Sequence, residues 1–291
     1  MSHIAYVNGR YVPHKSALVH IEDRGFQFAD GIYEVFCVWK GKPVDYKGHI
    51  VRLRRSLSEL RMTLGASDAA LTVILKEIVR RNRLENGIVY IQINRGVAPR
   101  AHAFPGAHVK ASLIVTAKHG VGLPEALAEQ GVKVVSAPDI RWGRRDIKSV
   151  GLLPNALAKQ AATESKSYEA LLYGPDGVVS EASSSNAWMV DGNKTIVTHP
   201  TTNMILGGIT RATVIKLARE AGYQIAERTF TLDEAKRARE VFLTGTTTFV
   251  MPVVQIDEQP VANGHAGSVA LDLRQRYRAY MEALDDTAWA L

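Results

Sequence analysis

The stretch Lys118-His119-Gly120-Val121-Gly122-Leu123-Pro124 is the best candidate for a linker that divides the 291-residue chain into two parts. Glycine and proline interrupt regular structure and are common where one domain ends and the next begins. A chain of this length is long enough to form two domains, each with its own hydrophobic core. We therefore predict a small α/β N-terminal domain at residues 1–119, a linker at 120–124 and a larger C-terminal domain at 125–291.

On the N-terminal side of this stretch, strands and helices follow one another. An Asn8-Gly9 turn after Ile4-Ala5-Tyr6-Val7 predicts a hairpin. Apolar residues recur every three or four positions at 49–64 and 67–84, which predicts two helices. The remaining predicted strands lie at 32–39, 88–94 and 112–117, and a loop rich in Pro, Gly and His covers 96–109.

On the C-terminal side the mixture continues. Turns at Gly174-Pro175-Asp176-Gly177 and Asp191-Gly192-Asn193 predict two hairpins. Because strands and helices do not alternate regularly, we predict two α+β domains and not one doubly wound sheet. The other predicted elements are strands at 132–137 and 241–244, helices at 154–166, 209–221 and 232–238, and a C-terminal helix.

Composition excludes several classes of protein. Hydrophobic residues make up 46% of the chain and charged residues 22%, as in ordinary globular proteins. The chain has no apolar run of about 18 residues that would predict a membrane span, and its start does not predict a signal peptide. The single cysteine, Cys37, cannot form an internal disulfide, and we expect a cytoplasmic protein.

The formal net charge of +7 leaves two interpretations open. One is a nucleic-acid-binding protein, with Arg52, Arg54, Arg55 and Arg61 as its densest basic cluster. These arginines fall in one predicted helix, where charge runs usually face solvent, and aromatic residues are not interleaved with them. The other interpretation is electrostatic attraction of an anionic small molecule.

The first of four chemical features is the segment Asp146-Ile147-Lys148-Ser149. Lys148 stands beside an apolar residue and precedes the run Val150-Gly151-Leu152-Leu153-Pro154, so we expect its amine to be partly buried. Burial disfavours the ammonium form of a lysine and so favours the neutral amine. The neutral amine is the form that reacts to give a Schiff base. A solvated surface lysine is the simpler interpretation of this segment taken alone.

Three further segments offer partners for charged groups. In the first, Ser180-Glu181-Ala182-Ser183-Ser184-Ser185-Asn186, a carboxylate is followed by three hydroxyls; the alternative interpretation is a polar loop whose serines hydrogen-bond their own backbone. In the second, Gly207-Gly208-Ile209-Thr210-Arg211, the glycines before a helix predict an anion site at its N-terminus; the alternative is Thr210 as an ordinary helix cap. Thr244-Gly245-Thr246-Thr247-Thr248 ends a predicted strand with short donors, or is a plain turn. Together the four segments supply the parts of a site for pyridoxal 5'-phosphate (PLP).

Over nearly the whole chain the sequence resembles the fold-type IV PLP-dependent enzymes, and within them the D-amino-acid aminotransferases. The resemblance implies the two-domain architecture of that fold, with residues 125–291 as the PLP-binding domain. The motifs that carry it are Glu22-Asp23-Arg24-Gly25-Phe26-Gln27-Phe28, Asp30-Gly31-Ile32-Tyr33-Glu34, His49-Ile50-Val51-Arg52-Leu53, Arg95-Gly96-Val97-Ala98-Pro99-Arg100-Ala101-His102, Asp146-Ile147-Lys148-Ser149, and Glu181 with its serine run.

The resemblance also implies a role for each candidate residue. Lys148 is the Schiff-base lysine and the base that moves the α-proton of the substrate. Glu181 keeps the pyridine nitrogen protonated, because an opposite charge favours the protonated ring. Arg52 binds the phosphate, which a guanidinium fork suits well. No metal site is expected, and the further PLP-binding residues are Ser184, Ser185, Ile209, Thr210 and Thr246.

Substrate choice, by the same resemblance, rests on Tyr33, Arg100 and His102. These residues trap the α-carboxylate, with the Arg-x-His loop reaching in from the other subunit of a homodimer. The position of the carboxylate anchor fixes which hydrogen faces Lys148. The implied reaction is a ping-pong transfer between a D-amino acid, such as D-alanine, and a 2-oxo acid, such as 2-oxoglutarate.

Other activities of the same fold stay open. Branched-chain L-amino-acid aminotransferases carry Gly-Glu-Asn where this chain has Ser184-Ser185-Asn186, and aminodeoxychorismate lyases are not expected to carry the Arg100-Ala101-His102 pair. An (R)-amine transaminase and a non-catalytic PLP carrier are further alternatives. The apolar segment Phe249-Val250-Met251-Pro252 departs from the best-known members and is expected to change side-chain preference.

Overall fold

A computed structural model describes residues 4–120 and 125–291. The chain forms two compact units of mixed helix and sheet, which confirms the predicted α+β class. One unit contains Met1–Val121, Ile147–Gly151 and Leu284–Leu291, and the other contains Gly122–Asp146 and Leu152–Ala283. The predicted linker at 120–124 falls almost entirely outside the described residues, so the division into domains at 1–119 and 125–291 stays a prediction.

The first unit is built on an antiparallel sheet of six strands within residues 4–120, in the order β2-β1-β6-β5-β3-β4. Three α-helices within the same described residues accompany it. The elements are β1 (Ile4–Val7), β2 (Arg10–Pro13), α1 (Arg24–Phe28), β3 (Gly31–Trp39), β4 (Lys42–Pro43), α2 (Tyr46–Glu59), α3 (Asp68–Arg81), β5 (Gly87–Asn94) and β6 (Ser112–His119).

The core of the first unit follows the two hydrophobic periodicities of the sequence. Leu71, Leu75 and Ile78 recur at helical spacing and are fully buried on α3. Alternate residues of β3, such as Ile32 and Phe36, are buried in the same core. The C-terminal tail belongs to it as well: Trp289 packs edge-on against Phe36 and Tyr46, a position that the sequence did not predict.

The second unit contains a nine-stranded mixed sheet within residues 125–291, ordered β12-β11-β10-β13-β14-β7-β8-β9, with β15 paired to β14. Its core gathers apolar residues of the central strands and adjoining helices. The elements are α4 (Glu125–Gln130), β7 (Val132–Pro138), α5 (Leu153–Glu164), β8 (Glu169–Tyr173), β9 (Val179–Ala182), β10 (Asn186–Val190), β11 (Ile196–Thr198), α6 (Ile209–Glu220), β12 (Ile225–Glu227), α7 (Leu232–Arg237), β13 (Glu240–Gly245), β14 (Phe249–Ile256), β15 (Gln259–Pro260) and α8 (Ser268–Glu282).

Some predicted boundaries were wrong, and the backbone explains two of them. The helix predicted at 49–64 spans Tyr46–Glu59, because Arg61 adopts a left-handed conformation that an α-helix cannot continue through. The helix predicted at 67–84 ends at Arg81, and Arg83 is left-handed in the same way. Strand β14 was not predicted, because its apolar run contains Pro252, and a proline argues against a strand in the interior of a sheet. In the structure Pro252 lies within the ladder, opposite Phe242.

None of the helices in the described ranges, 4–120 and 125–291, is long and apolar enough to cross a membrane.

Candidate active site

Lys148 lies in the first unit, beside the start of β3. Its carbonyl accepts a hydrogen bond from the backbone N–H of Tyr33 at 2.9 Å, and its own backbone N–H donates to Ser56 Oγ at 3.4 Å. The neighbouring Ile147 is buried in the core and fixes the segment. Lys148 Nζ lies 4.3 Å from the centroid of the Tyr33 ring, a distance at which a cation and an aromatic face attract. The structure thus brings the predicted Schiff-base lysine and a predicted substrate residue together.

Arg52 is held by a buried carboxylate on β3. Its Nε and Nη2 donate to Glu34 Oε1 and Oε2 at 2.6 and 2.9 Å. His49 Nδ1 lies 2.8 Å from Glu34 Oε2, and all three side chains are buried. A fork held by two hydrogen bonds to one carboxylate has a fixed plane. Arg52 is therefore oriented before any phosphate binds.

The charge states of this cluster follow from burial and pairing. Burial by itself would raise the pKa of Glu34, but the charge of Arg52 and the hydrogen bonds from His49 and Arg52 hold that pKa well below its ordinary value. Burial lowers the pKa of His49, although Glu34 opposes the shift. At neutral pH the carboxylate is ionised and the imidazole is neutral. Because an ionised carboxylate only accepts, His49 Nδ1 carries the proton of the hydrogen bond.

These shifts predict acid sensitivity of the first unit. The folded-state pKa values of His49 and Glu34 lie below their unfolded values, so the unfolded chain binds more protons. The contribution of His49 is complete above the unfolded pKa of about 6.5 and is lost as the pH falls below it, at up to about 1.4 kcal/mol per pH unit. We expect His49→Asn, which keeps a donor near the Nδ1 position, to flatten this slope. Urea unfolding of the wild type and of His49→Asn between about pH 7.5 and 5.5 measures how the free energy of unfolding depends on pH. Equal slopes in the two proteins would contradict the assignment of the acid sensitivity to His49.

Arg100 and His102 lie on an exposed loop without regular secondary structure. Both side chains gather on one aromatic ring of α1. The Arg100 guanidinium lies 4.6 Å from the Phe28 ring centroid, and the His102 ring centroid lies 5.5 Å from it. The structure therefore brings these two predicted substrate residues together, while Tyr33 contacts Lys148 and stacks on Tyr90.

Glu181 lies on β9 in the second unit and is buried. Its Oε2 accepts hydrogen bonds from Asn186 Nδ2 and from the backbone N–H of Leu206, both at 3.1 Å. Its Oε1 accepts a hydrogen bond from the Arg141 guanidinium. Burial raises the pKa of the Glu181 carboxyl, and the charge and hydrogen bond of Arg141 oppose that rise. The carboxylate is thus fixed in position by donors on both oxygens.

A second carboxylate, Asp139, holds the arginine that pairs with Glu181. Arg141 Nε and Nη2 donate to Asp139 Oδ1 and Oδ2 at 2.9 and 2.7 Å, and Ser180 Oγ donates to Asp139 at 2.6 Å. Burial alone would raise the pKa of Asp139, but its hydrogen bonds and charge interaction with Arg141 lower it. Asp139 is therefore the anionic partner that keeps Arg141 in place.

The serine run is organised around another buried carboxylate. Ser184 donates to Glu169 from its hydroxyl at 2.9 Å and from its backbone N–H at 3.0 Å. Ser185 Oγ donates to Glu169 Oε1 at 2.8 Å, and Ser183 Oγ lies 3.3 Å from the other oxygen. The hydroxyl groups of Ser184 and Ser185 therefore both donate their hydrogen bonds to Glu169. A contact of either hydroxyl with PLP would therefore use an oxygen lone pair or follow a change of hydroxyl partner.

The N-terminus of α6 has the form expected of an anion site. Gly208 is the N-cap residue and no side chain caps the helix, so the alternative of Thr210 as the cap is wrong. The first N–H groups of the helix, beginning at Ile209, have no acceptor within the helix and point outward along the positive end of its dipole. A Cβ on Gly208 would lie 1.9 Å from Asn186 Oδ1, so this close approach requires glycine. Half-buried Thr246 lies in the turn between β13 and β14.

Four charged residues that hold the candidate site residues had no role predicted from the sequence: Glu34, Asp139, Arg141 and Glu169. Glu34 had a usable signal, because it alternates with Ile32 and Phe36 on the buried side of a strand, and a buried carboxylate requires a partner. Arg141 and Asp139 had a weaker one, two opposite charges at a strand end. Glu169 gave no signal, since its serine partners lie about 15 residues further along the chain.

The donor set of the chain fits PLP. It contains an amine beside an aromatic ring (Lys148), a buried carboxylate held by donors (Glu181), an oriented guanidinium (Arg52) and an uncapped helix N-terminus after a glycine pair (Gly207 and Gly208). These are the kinds of group that bind the carbonyl, the ring nitrogen and the phosphate of this cofactor.

Comparison with known proteins defines the class. Residues 31–256 match the family described as amino-transferase class IV, and the chain belongs to that family. It is 40% identical to the D-alanine aminotransferase of Bacillus licheniformis over an alignment of 267 residues, and this alignment covers 92% of this chain and 93% of that enzyme. It is 39% identical to the D-alanine aminotransferase of Staphylococcus aureus strain COL over an alignment of 279 residues, and this alignment covers 96% of this chain and 98% of that enzyme. The chain is an aminotransferase.

Solved structures confirm the fold. The T.th. branched-chain amino acid aminotransferase with pyridoxamine 5'-phosphate superposes with a TM-score of 0.89 at 28% identity, over 99% of this chain and 98% of that one. The branched-chain amino acid aminotransferase of Escherichia coli superposes with a TM-score of 0.90 at 24% identity, again over 99% and 98% of the two chains. The two-domain fold-type IV architecture implied by the sequence resemblance is therefore confirmed.

Proposed function

We propose that this chain is a PLP-dependent aminotransferase that transfers the amino group of a D-amino acid, such as D-alanine, to a 2-oxo acid, such as 2-oxoglutarate, in a ping-pong reaction. The observation that carries the proposal is the near full-length identity of 38–40% to D-alanine aminotransferases. The donor set adds chemical support, because an amine, a fixed carboxylate and an anion site are the groups that this cofactor needs.

Each residue has a defined task in this reaction. When bound, PLP supplies the electron sink that makes the α-proton of an amino acid acidic. Lys148 Nζ would provide the covalent link to PLP and would move the α-proton of the substrate. The Glu181 carboxylate would keep the proton on the ring nitrogen, because an opposite charge favours the protonated ring. Arg52, the N–H groups of Ile209 and Thr210 and the hydroxyl of Thr246 would hold the phosphate. Ser184 and Ser185 are the further residues that would contact the cofactor.

Arg100, His102 and Tyr33 bind the α-carboxylate of the substrate. A guanidinium pairs with a carboxylate through two parallel hydrogen bonds, so it fixes orientation as well as charge. A carboxylate fixed on one side determines which α-hydrogen points to Lys148 Nζ. D-stereochemistry follows from the position of this anchor.

A branched-chain L-amino-acid aminotransferase is the second candidate, because the solved structures that superpose on the chain carry that name. Their identities, 24% and 28%, are well below those of the D-alanine aminotransferases. The chain also has Ser184-Ser185-Asn186 where the branched-chain enzymes are expected to carry Gly-Glu-Asn. Turnover of L-leucine but not D-alanine would favour this candidate, and turnover of a simple (R)-amine or of aminodeoxychorismate would favour the other two activities of the fold.

The basic cluster offers little support for a nucleic-acid-binding protein. Arg54 pairs with Asp68 at 2.6 Å, and Arg55 pairs with Glu59 at 3.7 Å on the same helix. Arg61 lies over the Phe104 ring. A nucleic-acid binder would be retained on polyanions in a salt-sensitive way and would be colourless, whereas the enzyme is expected to be yellow.

The carboxylate role of Arg100 predicts a specific kinetic change. We expect Arg100→Ala to raise the KM for D-alanine by at least about tenfold, because a charge-assisted pair is lost. PLP content should stay at the wild-type level, since Arg100 has no part in binding the phosphate. Steady-state kinetics with 2-oxoglutarate and the absorbance of bound PLP measure the two quantities. The matched control is Arg10→Ala, an exposed arginine on β2.

Equal loss of D-alanine affinity and of PLP in Arg100→Ala would assign Arg100 to the structure of the loop instead of the substrate site.

We also propose a cytoplasmic homodimer with two equivalent, shared active sites. The exposed position of Arg100 and His102 on their loop supports a role in the active site of the other subunit. The single buried cysteine, Cys37, is consistent with a reducing compartment, where disulfides are rare.

A further inference from the structure

The loop that carries Arg100 and His102 is held by one buried guanidinium. Arg24, on α1, donates from Nη1 to the carbonyl oxygens of Ala101 and Ala103 at 2.6 and 3.3 Å. Its Nη2 lies 3.4 Å from the carbonyl oxygen of His102. Three consecutive carbonyls therefore turn toward one cation, which is only 3% exposed.

The opposite side of this guanidinium is fixed by a carboxylate. Arg24 Nε donates to Asp30 Oδ2 at 2.7 Å, and Arg95 Nε donates to the same oxygen at 2.7 Å. Arg95 in turn stacks over the Phe104 ring, at 3.6 Å from its centroid. Asp30 thus links the two arginines that contact the loop at Ala101–Ala103 and at Phe104.

The side chains of the loop rest on the same helix. The Phe28 ring carries Arg24 at 4.7 Å from its centroid and Arg100 at 4.6 Å, with His102 beside it. Backbone and side chains of the loop are therefore held by residues four apart on α1, Arg24 and Phe28. The loop has no regular secondary structure of its own, so this anchoring replaces the ladder or helix bonds that a segment of that kind lacks.

We infer that Arg24 is a positioning residue for substrate binding: its carbonyl clamp on Ala101–Ala103 sets Arg100 and His102 in the geometry that receives the α-carboxylate. The inference rests on the proposed function of those two residues. Only a planar fork spans the three carbonyls and Asp30 at once, because an ammonium has fewer donors and no fixed plane. A lysine at this position keeps the charge but loses the clamp.

Kinetics of the holoenzyme test the clamp. We expect Arg24→Lys to raise the KM for D-alanine about tenfold, the size of a lost charge-assisted hydrogen bond, with kcat changed less than about threefold and PLP content unchanged. Phe28→Leu, which removes the aromatic platform and keeps an apolar side chain, should raise KM about threefold. The exposed Arg10→Ala variant should behave as the wild type.

A double-variant cycle separates positioning from general stability. If Arg24 acts mainly through Arg100, adding Arg24→Lys to Arg100→Ala should raise KM by less than about twofold, because the guanidinium anchor is already absent and only the contribution of His102 can still be lost. The inference would be overturned if the KM of the double variant rose by the product of the two single-variant increases. An unchanged KM in both Arg24→Lys and Phe28→Leu would overturn it as well. An unchanged KM in Arg100→Ala itself would instead overturn the proposed carboxylate role, and the inference with it. A wild-type enzyme without D-alanine turnover would reject the function as a whole.

Discussion

Replacing Lys148 by alanine should abolish turnover of D-alanine with 2-oxoglutarate. The Nζ atom has two proposed tasks, the covalent link to PLP and the transfer of the α-proton. Proton transfer by a positioned side chain alone contributes about 10²- to 10⁴-fold to a rate. We therefore expect kcat to fall by at least about 10³-fold. Borohydride reduction should fix PLP to the peptide that contains Lys148 in the wild type and to no peptide of the variant.

The matched control for this prediction is Lys47→Ala, an exposed lysine on α2 of the same unit. It should keep full activity and full labelling of Lys148. Circular dichroism of Lys148→Ala checks that the variant folds. A Lys148→Ala protein that still forms the reduced adduct would show that another lysine carries the cofactor.

Replacing Glu181 by glutamine should lower kcat by about 100-fold or more while PLP stays bound. The amide preserves the shape of the side chain but has no negative charge to hold the proton of the ring nitrogen, and an unprotonated ring is a poor electron sink. Arg141 keeps Asp139 as its partner, so the fold should survive the change, although the amide nitrogen of glutamine cannot accept the hydrogen bonds that one of the two carboxylate oxygens accepts.

Glu220→Gln provides the control, because Glu220 is an exposed carboxylate of the same unit that pairs only loosely with Lys216 at 3.9 Å. Both variants are compared in kcat and in PLP content. A Glu181→Gln enzyme with kcat within about threefold of the wild type and full PLP content would remove Glu181 from the role of ring partner.

Much of the secondary structure could be predicted because it follows local patterns. The Asn8-Gly9 hairpin, strand β3 and the helices α2, α3 and α6 were predicted from turn residues and from periods of two or 3.6 residues. Helix α1 was not predicted, since the five residues Arg24–Phe28 are too few to show a helical period. Its N-cap, Asp23, accepts a hydrogen bond from Gly25, a signal that becomes clear only once the helix is known.

The long-range partners of the site residues could not be predicted. The motif that contains Arg24 was recognisable, but its contacts with the carbonyls of Ala101 and Ala103 join positions almost 80 residues apart. The same holds for Arg141 and Glu181, which lie 40 residues apart. Local sequence shows that a charged residue is present, whereas the fold decides which opposite charge it meets. For that reason the residues proposed to touch PLP and substrate could be named from the family motifs, whereas the residues that hold them in place could not.

Transamination of D-amino acids is tested by its first half-reaction. Purified holoenzyme is mixed with D-alanine or with L-leucine, without an oxo acid, and the absorbance of bound PLP is followed. We predict that D-alanine alone removes the absorption band of the cofactor and releases a stoichiometric amount of pyruvate. Loss of the band with L-leucine alone would contradict the D-specificity, and no change with either amino acid would contradict the proposed activity.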